Sequence, residues 1–197
     1  MSTDASTDAS AALRCFMALL PDTASRGALQ RCRDTLERAI AGPARGVRWI
    51  EPAALHLTLR FLGASGNPQI EYLQHMLPTL APALPAIAPH RYCIWPNRAR
   101  PRLLVLELEL EADSALSKLA SDCEAHARKA GFAPEPRDFR AHITLARLRP
   151  GCAFGTLPRP SMPVVFDAVA LMRSTLSQPA ATCTELARAT LARASTA

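Results

Sequence analysis

The chain has 197 residues, 49% of them hydrophobic and 20% charged, with a formal net charge of +6. That composition is ordinary for a globular protein and suits one domain, or two small lobes sharing a core. No apolar run approaches the ~18 residues of a membrane span, so none is expected.

Lys118 and Lys129 are the only lysines, so nearly all the positive charge is arginine. Guanidinium forks suit phosphate recognition. A polyanionic partner and an Ala- and Arg-rich coding bias both fit. The six cysteines are scattered, with no C-x-x-C and no zinc-like spacing. They read as reduced core thiols of a cytoplasmic protein.

The opening MSTDASTDAS repeats STDA and lacks a basic or apolar leader region. Residues 1–12 therefore read as a disordered tail and 13–193 as the folded domain. LRCFMALL (13–20) is a buried-strand pattern closed by Pro21. Asp22 offers an N-cap, and Ala28, Leu29, Cys32, Leu36 and Ile40 recur at helical spacing before Gly42-Pro43. Short strands are expected at 47–50 and 55–62, the second ending at Gly63. Pro68 then suits a helical first turn, and Pro78 and Pro82 limit that helix.

Two β-like runs follow at about 86–95 and 102–110, joined by the basic turn PNRARPR (96–102). Residues 112–130 have one apolar face, Leu116, Leu119, Ala120, Cys123 and Ala127, with Gly131 as a natural stop. Strands are expected at about 140–148, 164–172 and 183–191, with a Pro/Gly-rich loop at 150–163. The order β-α-β-β-α-β-β-α-β-β-β is an α+β pattern, consistent with two related halves.

Two of the five histidines share one frame: HLTL at 56–59 and HITL at 142–145. Strand side chains alternate faces with a period of two. His56 and Thr58 should therefore share one face, and His142 and Thr144 likewise, with Leu57, Leu59, Ile143 and Leu145 toward the core. If the strands lie together, two imidazoles and two hydroxyls converge. Near their reference pKa of about 6.5, two histidines can divide acid and base roles at neutral pH. That serves displacement at phosphorus: a base takes the nucleophile's proton and an acid protonates the departing oxygen. Hydroxyls and an arginine can hold the non-bridging oxygens. No metal or cofactor is needed, and there is no H-E-x-x-H, Walker loop or carboxylate cluster.

The paired motifs resemble those of the two-histidine phosphoesterases, specifically the bacterial RNA 2′,3′-cyclic phosphodiesterases once called 2′-5′ RNA ligases. RCFMALLP (14–21), VRWIEPAALHLTLRFLG (47–63), RPRLLVLEL (100–108), FRAHITLAR (139–147) and LMRSTLS (171–177) carry the resemblance, which covers about residues 13–191. It implies a bilobal α+β fold, with two pseudo-symmetric antiparallel-sheet lobes, outer helices and a central cleft. It also implies hydrolysis of a 2′,3′-cyclic phosphate to a 2′-phosphomonoester. His56 would be proton donor to the 3′-oxygen and His142 the base toward water. Thr58 and Thr144 would hold phosphate oxygens, Arg147 would contact phosphate, and Phe16 would sit near the base. The chain departs from the family pattern at Ala141, where proline is frequent, and at Met172 and Cys183, where aromatics are expected.

Arg147 lies an odd number of steps from His142, so a regular strand would point it away; a bulge must re-aim it. Otherwise Arg60, an even step from His56, is the better candidate. His126 reads as solvated. His75 and His90 have no partner motif. Trp49 and Trp95 fit either base stacking or core packing, and Arg98, Arg100 and Arg102 fit either an RNA backbone contact or a solvated loop. Three functions stay open: cyclic phosphate hydrolysis on RNA ends or small cyclic nucleotides, its reversal as 2′-5′ RNA ligation, and a non-catalytic RNA-phosphate-binding module. A monomer is expected, since nothing suggests a coiled coil or obligate dimer.

Overall fold

A computed structural model describes residues 13–40, 46–175 and 182–192. The expected tail at 1–12 and the Gly42-Pro43 stop lie outside these residues. The strands are β1 (Leu13–Pro21), β2 (Val47–Trp49), β3 (Leu57–Ser65), β4 (Pro89–Asn97), β5 (Arg100–Leu108), β6 (His142–Leu148), β7 (Phe166–Thr175) and β8 (Thr182–Thr190). The helices are α1 (Thr23–Arg38), α2 (Asn67–Met76) and α3 (Ala115–Lys129). The element order is the one expected from the sequence.

Local chemistry sets the helix ends. Asp22 caps α1 by accepting the Ser25 N–H at 2.7 Å, and Ser114 caps α3 through the Ser117 N–H at 3.2 Å. Gly131 follows α3 with φ of 89°, the left-handed stop that a side chain would disfavour. The basic turn is tighter than the sequence suggested. β4 and β5 pair as far as Asn97↔Arg100, leaving only Arg98 and Ala99 at the bend. Arg98 there donates to the carbonyl oxygens of Phe154 and Gly155, so it is committed within the chain.

All eight strands join one antiparallel sheet of order β4-β5-β6-β3-β1-β7-β8, with β2 on β6. Its two halves, β4-β5-β6 and β3-β1-β7-β8, meet at a single paired position, Leu57↔Ile143. Two of the helices are exchanged between the halves. α1 follows β1 but packs with Tyr92 and Leu106 of the other half, while α3 follows β5 but packs on β3. Leu57, Leu104, Leu119, Ile143 and Leu171 are fully enclosed in the main core. A second, small-residue cluster (Ala18, Ala168, Ala170, with Phe16 and Met172) lies on the other side of β1 and β7. No helix among the described residues is long and apolar enough to cross a membrane.

Candidate active site

His56 immediately precedes β3 and His142 opens β6. The antiparallel register about Leu57↔Ile143 sets His56 beside Thr144 and Thr58 beside His142. Leu57 and Ile143 are wholly buried, whereas the two His and two Thr are partly open. The alternation read from HLTL and HITL therefore holds, and four polar side chains share one face. Diagonal neighbours across such a pair stand roughly 7–8 Å apart, somewhat less at Cβ, a spacing at which both rings can reach one phosphate.

Both imidazoles are oriented alike. His56 Nδ1 donates to the Ala54 carbonyl at 2.8 Å, and His142 Nδ1 donates to the Arg140 carbonyl at 2.7 Å. A carbonyl can only accept, so Nδ1 carries hydrogen in both rings and Nε2 is left for proton transfer. Burial pulls His56 below its ordinary value; the Ala54 carbonyl opposes this, and the positive charges of His142 and Arg147 add to it. Burial also lowers His142, opposed by the Arg140 carbonyl, with the Arg140 guanidinium lowering it and Glu107 raising it.

One backbone device, used twice, decides which residues join the face. Pairing of β5 with β6 jumps from Val105↔Thr144 to Leu104↔Ala146, so Leu145 is an inserted residue. Pairing of β1 with β3 jumps from Ala18↔Thr58 to Met17↔Arg60, so Leu59 is inserted in the same way. The fourth residue of each His-x-Thr-Leu is thus a bulge, and the alternation inverts after it. The fifth residues, Arg60 and Ala146, turn into the protein, while the sixth, Phe61 and Arg147, return to the His/Thr face.

Arg147 is accordingly exposed, its charge reaches His56, and it forms no ion pair among the described residues. Arg60, expected on the His56 face, is instead 7% exposed. It is ion-paired to Glu124, lies 3.7 Å from Glu135, and donates to the Phe61 and Ala133 carbonyls. Its donors are committed to these partners, and it borders the cavity shared with Thr58 and His142 from that fixed position; the bulge at Leu59 removes the strand parity that would have put it beside His56.

Phe16 packs against His56, with ring centroids 4.9 Å apart. Met172 is its direct neighbour on β7, and Cys183 packs on the same cluster, so smaller side chains occupy this wall. Three further residues at the site, Phe61, Arg140 and Glu107, escaped the sequence reading, and Trp95, open there between base stacking and core packing, joins them. Phe61 is 51% exposed beside Phe16. Comparing the sixth residue of both motif copies, Phe61 with Arg147, would have drawn attention to it. Trp95 stacks on His142 at 4.4 Å, and Arg140 lies 4.0 Å over the indole. Glu107 joins Trp95 and Arg140; in LLVLELEL an alternate acid reads simply as the wet face of a strand. A cavity of about 680 Å³ opens on this side, lined by Thr58, Phe61, Trp95, Phe139, Arg140 and His142 among others.

His126 hydrogen-bonds the Tyr72 hydroxyl at 3.0 Å between α2 and α3, rather than standing in solvent, while His75 and His90 are exposed away from the motif strands. Among the described residues no group of three or more His, Cys, Asp or Glu is placed to hold a metal ion.

A family model described as LigT-like phosphoesterase matches the chain twice, over residues 20–105 and 106–181, one His-x-Thr-Leu in each. The RNA 2′,3′-cyclic phosphodiesterase of Bacillus subtilis (strain 168) is 33% identical over 102 residues, 51% of this chain and 55% of that protein. The protein of that name from Methanothermobacter thermautotrophicus is 31% identical over 140 residues, 70% of this chain and 72% of its own. The chain thus spans little more than half of the Bacillus protein in that match. Among solved structures, TT0787 of Thermus thermophilus superposes with a TM-score of 0.71 at 27% identity, over 91% of this chain and 98% of that one. E. coli LigT complexed with 3′-AMP gives a TM-score of 0.69 at 24% identity, over 92% and 99%. The E. coli likeness bears on the fold alone.

Proposed function

Since this chain belongs to the LigT-like phosphoesterase family, we propose that it hydrolyses 2′,3′-cyclic phosphates, at RNA ends or on small nucleosides, to 2′-phosphomonoesters without a metal ion. The observation that carries this reading is the pair of matched imidazoles. Each has Nδ1 tied to a backbone carbonyl and Nε2 free, with the two threonines and Arg147 on the same face. The names of the Bacillus and Methanothermobacter relatives support it.

The reaction divides between two rings. One neutral Nε2 takes a proton from water as its oxygen bonds to phosphorus. The bond from phosphorus to the 3′-oxygen breaks, and the other, protonated Nε2 gives its proton to that departing oxygen. The product carries a 2′-phosphate and a 3′-hydroxyl, and one proton has moved from acid to base in net terms. In this reading the Thr58 and Thr144 hydroxyls and the Arg147 guanidinium bind the non-bridging oxygens as their charge grows. Phe61, 51% exposed, offers aromatic surface to the nucleoside, while Phe16 is buried behind it and packs the His56 ring.

The test is product analysis with a nucleoside 2′,3′-cyclic phosphate in EDTA, with His56→Ala and His142→Ala alongside. The wild type should release only the 2′-monophosphate, and each variant should lose about 10²–10⁴-fold in turnover while still binding phosphate. Absence of turnover in the wild type, or full activity in both variants, would overturn the reading.

A further inference from the structure

The two halves repeat the histidine, its carbonyl tether, the threonine, the bulged leucine and a flanking aromatic. Beyond the residues after each bulge, they differ in what surrounds that aromatic. Beside His56 the flanking ring is Phe16, which has no polar atom. Beside His142 the ring is Trp95, and it is held by a charged assembly centred on Glu107.

Glu107 lies directly across from His142 in the β5/β6 register and is only 8% exposed. Its carboxylate accepts from Trp95 Nε1 at 3.1 Å, Arg140 at 2.6 Å, Arg91 at 2.7 Å and the Cys93 thiol at 3.5 Å. Burial works to raise Glu107, but the bonds from Arg91, Cys93 and Trp95 outweigh it and keep the carboxyl below its usual range. A buried carboxylate is costly unless compensated, and packing alone does not call for one here. Val105, two residues earlier on the same face, is wholly buried as an apolar side chain.

Arg140 connects the assembly to the imidazole twice: its side chain lies between Glu107 and the Trp95 ring, and its carbonyl accepts the His142 Nδ1–H. The charges bearing on His142 are Glu107 from β5 and Arg140 from its own segment. Arg91 and Cys93 from β4 act on Glu107, and His56 stands across the cleft. The charges bearing on His56 are positive, His142 and Arg147.

We propose that Glu107 is a positioning residue for His142: it fixes Trp95 and Arg140 around that ring and offsets the neighbouring guanidinium charge. Resting on the cyclic phosphodiesterase reading, this makes Glu107 the residue that sets the geometry and charge around one of the two proton-transfer rings without itself touching substrate.

Histidine-ring NMR titration of the full chain tests this without substrate. Glu107→Gln should lower the His142 titration, with His56 shifting less and upward because His142 then carries less of the charge that holds it down, and Glu107→Asp should recover part of the His142 shift. Arg140→Gln should move His142 upward, which keeps the test available if Glu107→Gln does not fold. In kcat/KM profiles with a nucleoside 2′,3′-cyclic phosphate, Glu107→Gln should move the limb set by His142 to lower pH, and Glu107→Asp should restore it in part. His142 unmoved by Glu107→Gln and by Arg140→Gln would overturn the proposal. A wild type with no turnover would instead remove the phosphodiesterase reading, and the ring titrations would still decide the part played by Glu107.

Discussion

Arg60 and Arg147 can be separated by replacing each with methionine, which keeps length and removes charge. Arg60 is 7% exposed and serves Glu124, Glu135 and two carbonyls, tying β3 to α3 and to the segment after it. Breaking a fully buried pair of this kind costs about 3–5 kcal/mol, because the remaining charge is stranded. Here the stranded carboxylates keep 30% and 21% of their surface in water, so part of that cost is relieved by solvent. The expected loss for Arg60→Met is therefore about 2–3 kcal/mol. For a domain of this size that lowers Tm by roughly 5–10 °C. Arg147 is exposed and without an ion pair among the described residues, so Arg147→Met should stay within about 0.5 kcal/mol of wild type. Its turnover of a cyclic phosphate should nonetheless fall about 10²–10³-fold, the usual effect of removing one charge-stabilising donor. Thermal melts and steady-state kinetics on both variants read the two quantities separately. If Arg60→Met keeps its Tm and loses turnover while Arg147→Met remains fully active, the bulges do not set the face and the arginines must be exchanged.

Two more outcomes follow from the same geometry. Both histidines are pulled below their ordinary value, and hydrolysis needs one protonated and one neutral. The kcat/KM maximum should then lie below about pH 6.5, with activity falling as pH rises and the acid loses its proton; an optimum above neutrality would contradict this. The same depression means that the unfolded chain binds protons first as pH falls. Stability should decline from about pH 6.5 downward until the folded rings also protonate, seen as a lower urea midpoint at acid than at neutral pH. Leu57 is wholly buried at the one position joining the two halves of the sheet. Leu57→Ala should cost about 2–5 kcal/mol in urea unfolding, whereas a loss below about 1 kcal/mol would show that the junction relaxes around the gap.

The element order, the core leucines and both His-x-Thr faces were legible in the chain because each depends on neighbours in sequence. A period of two places Leu57 and Ile143 opposite His56 and His142 whatever the rest of the fold does. Asp22, Ser114 and Gly131 mark helix ends through bonds and dihedrals within a few residues. The fates of Arg60 and Arg147 were not legible in this way. The bulges at Leu59 and Leu145 exist only as mismatches with β1 and β5, strands tens of residues away. Glu107 and Arg140 were equally hidden and Trp95 was undecided, since three side chains from β4, β5 and the approach to β6 meet only when those segments pack side by side. Sequence by itself determined which residues could do proton transfer and which face of each strand they share. Tertiary structure decided which arginine reaches that face and which histidine has a carboxylate beside it, because strand register and electrostatics are set between segments, not within them.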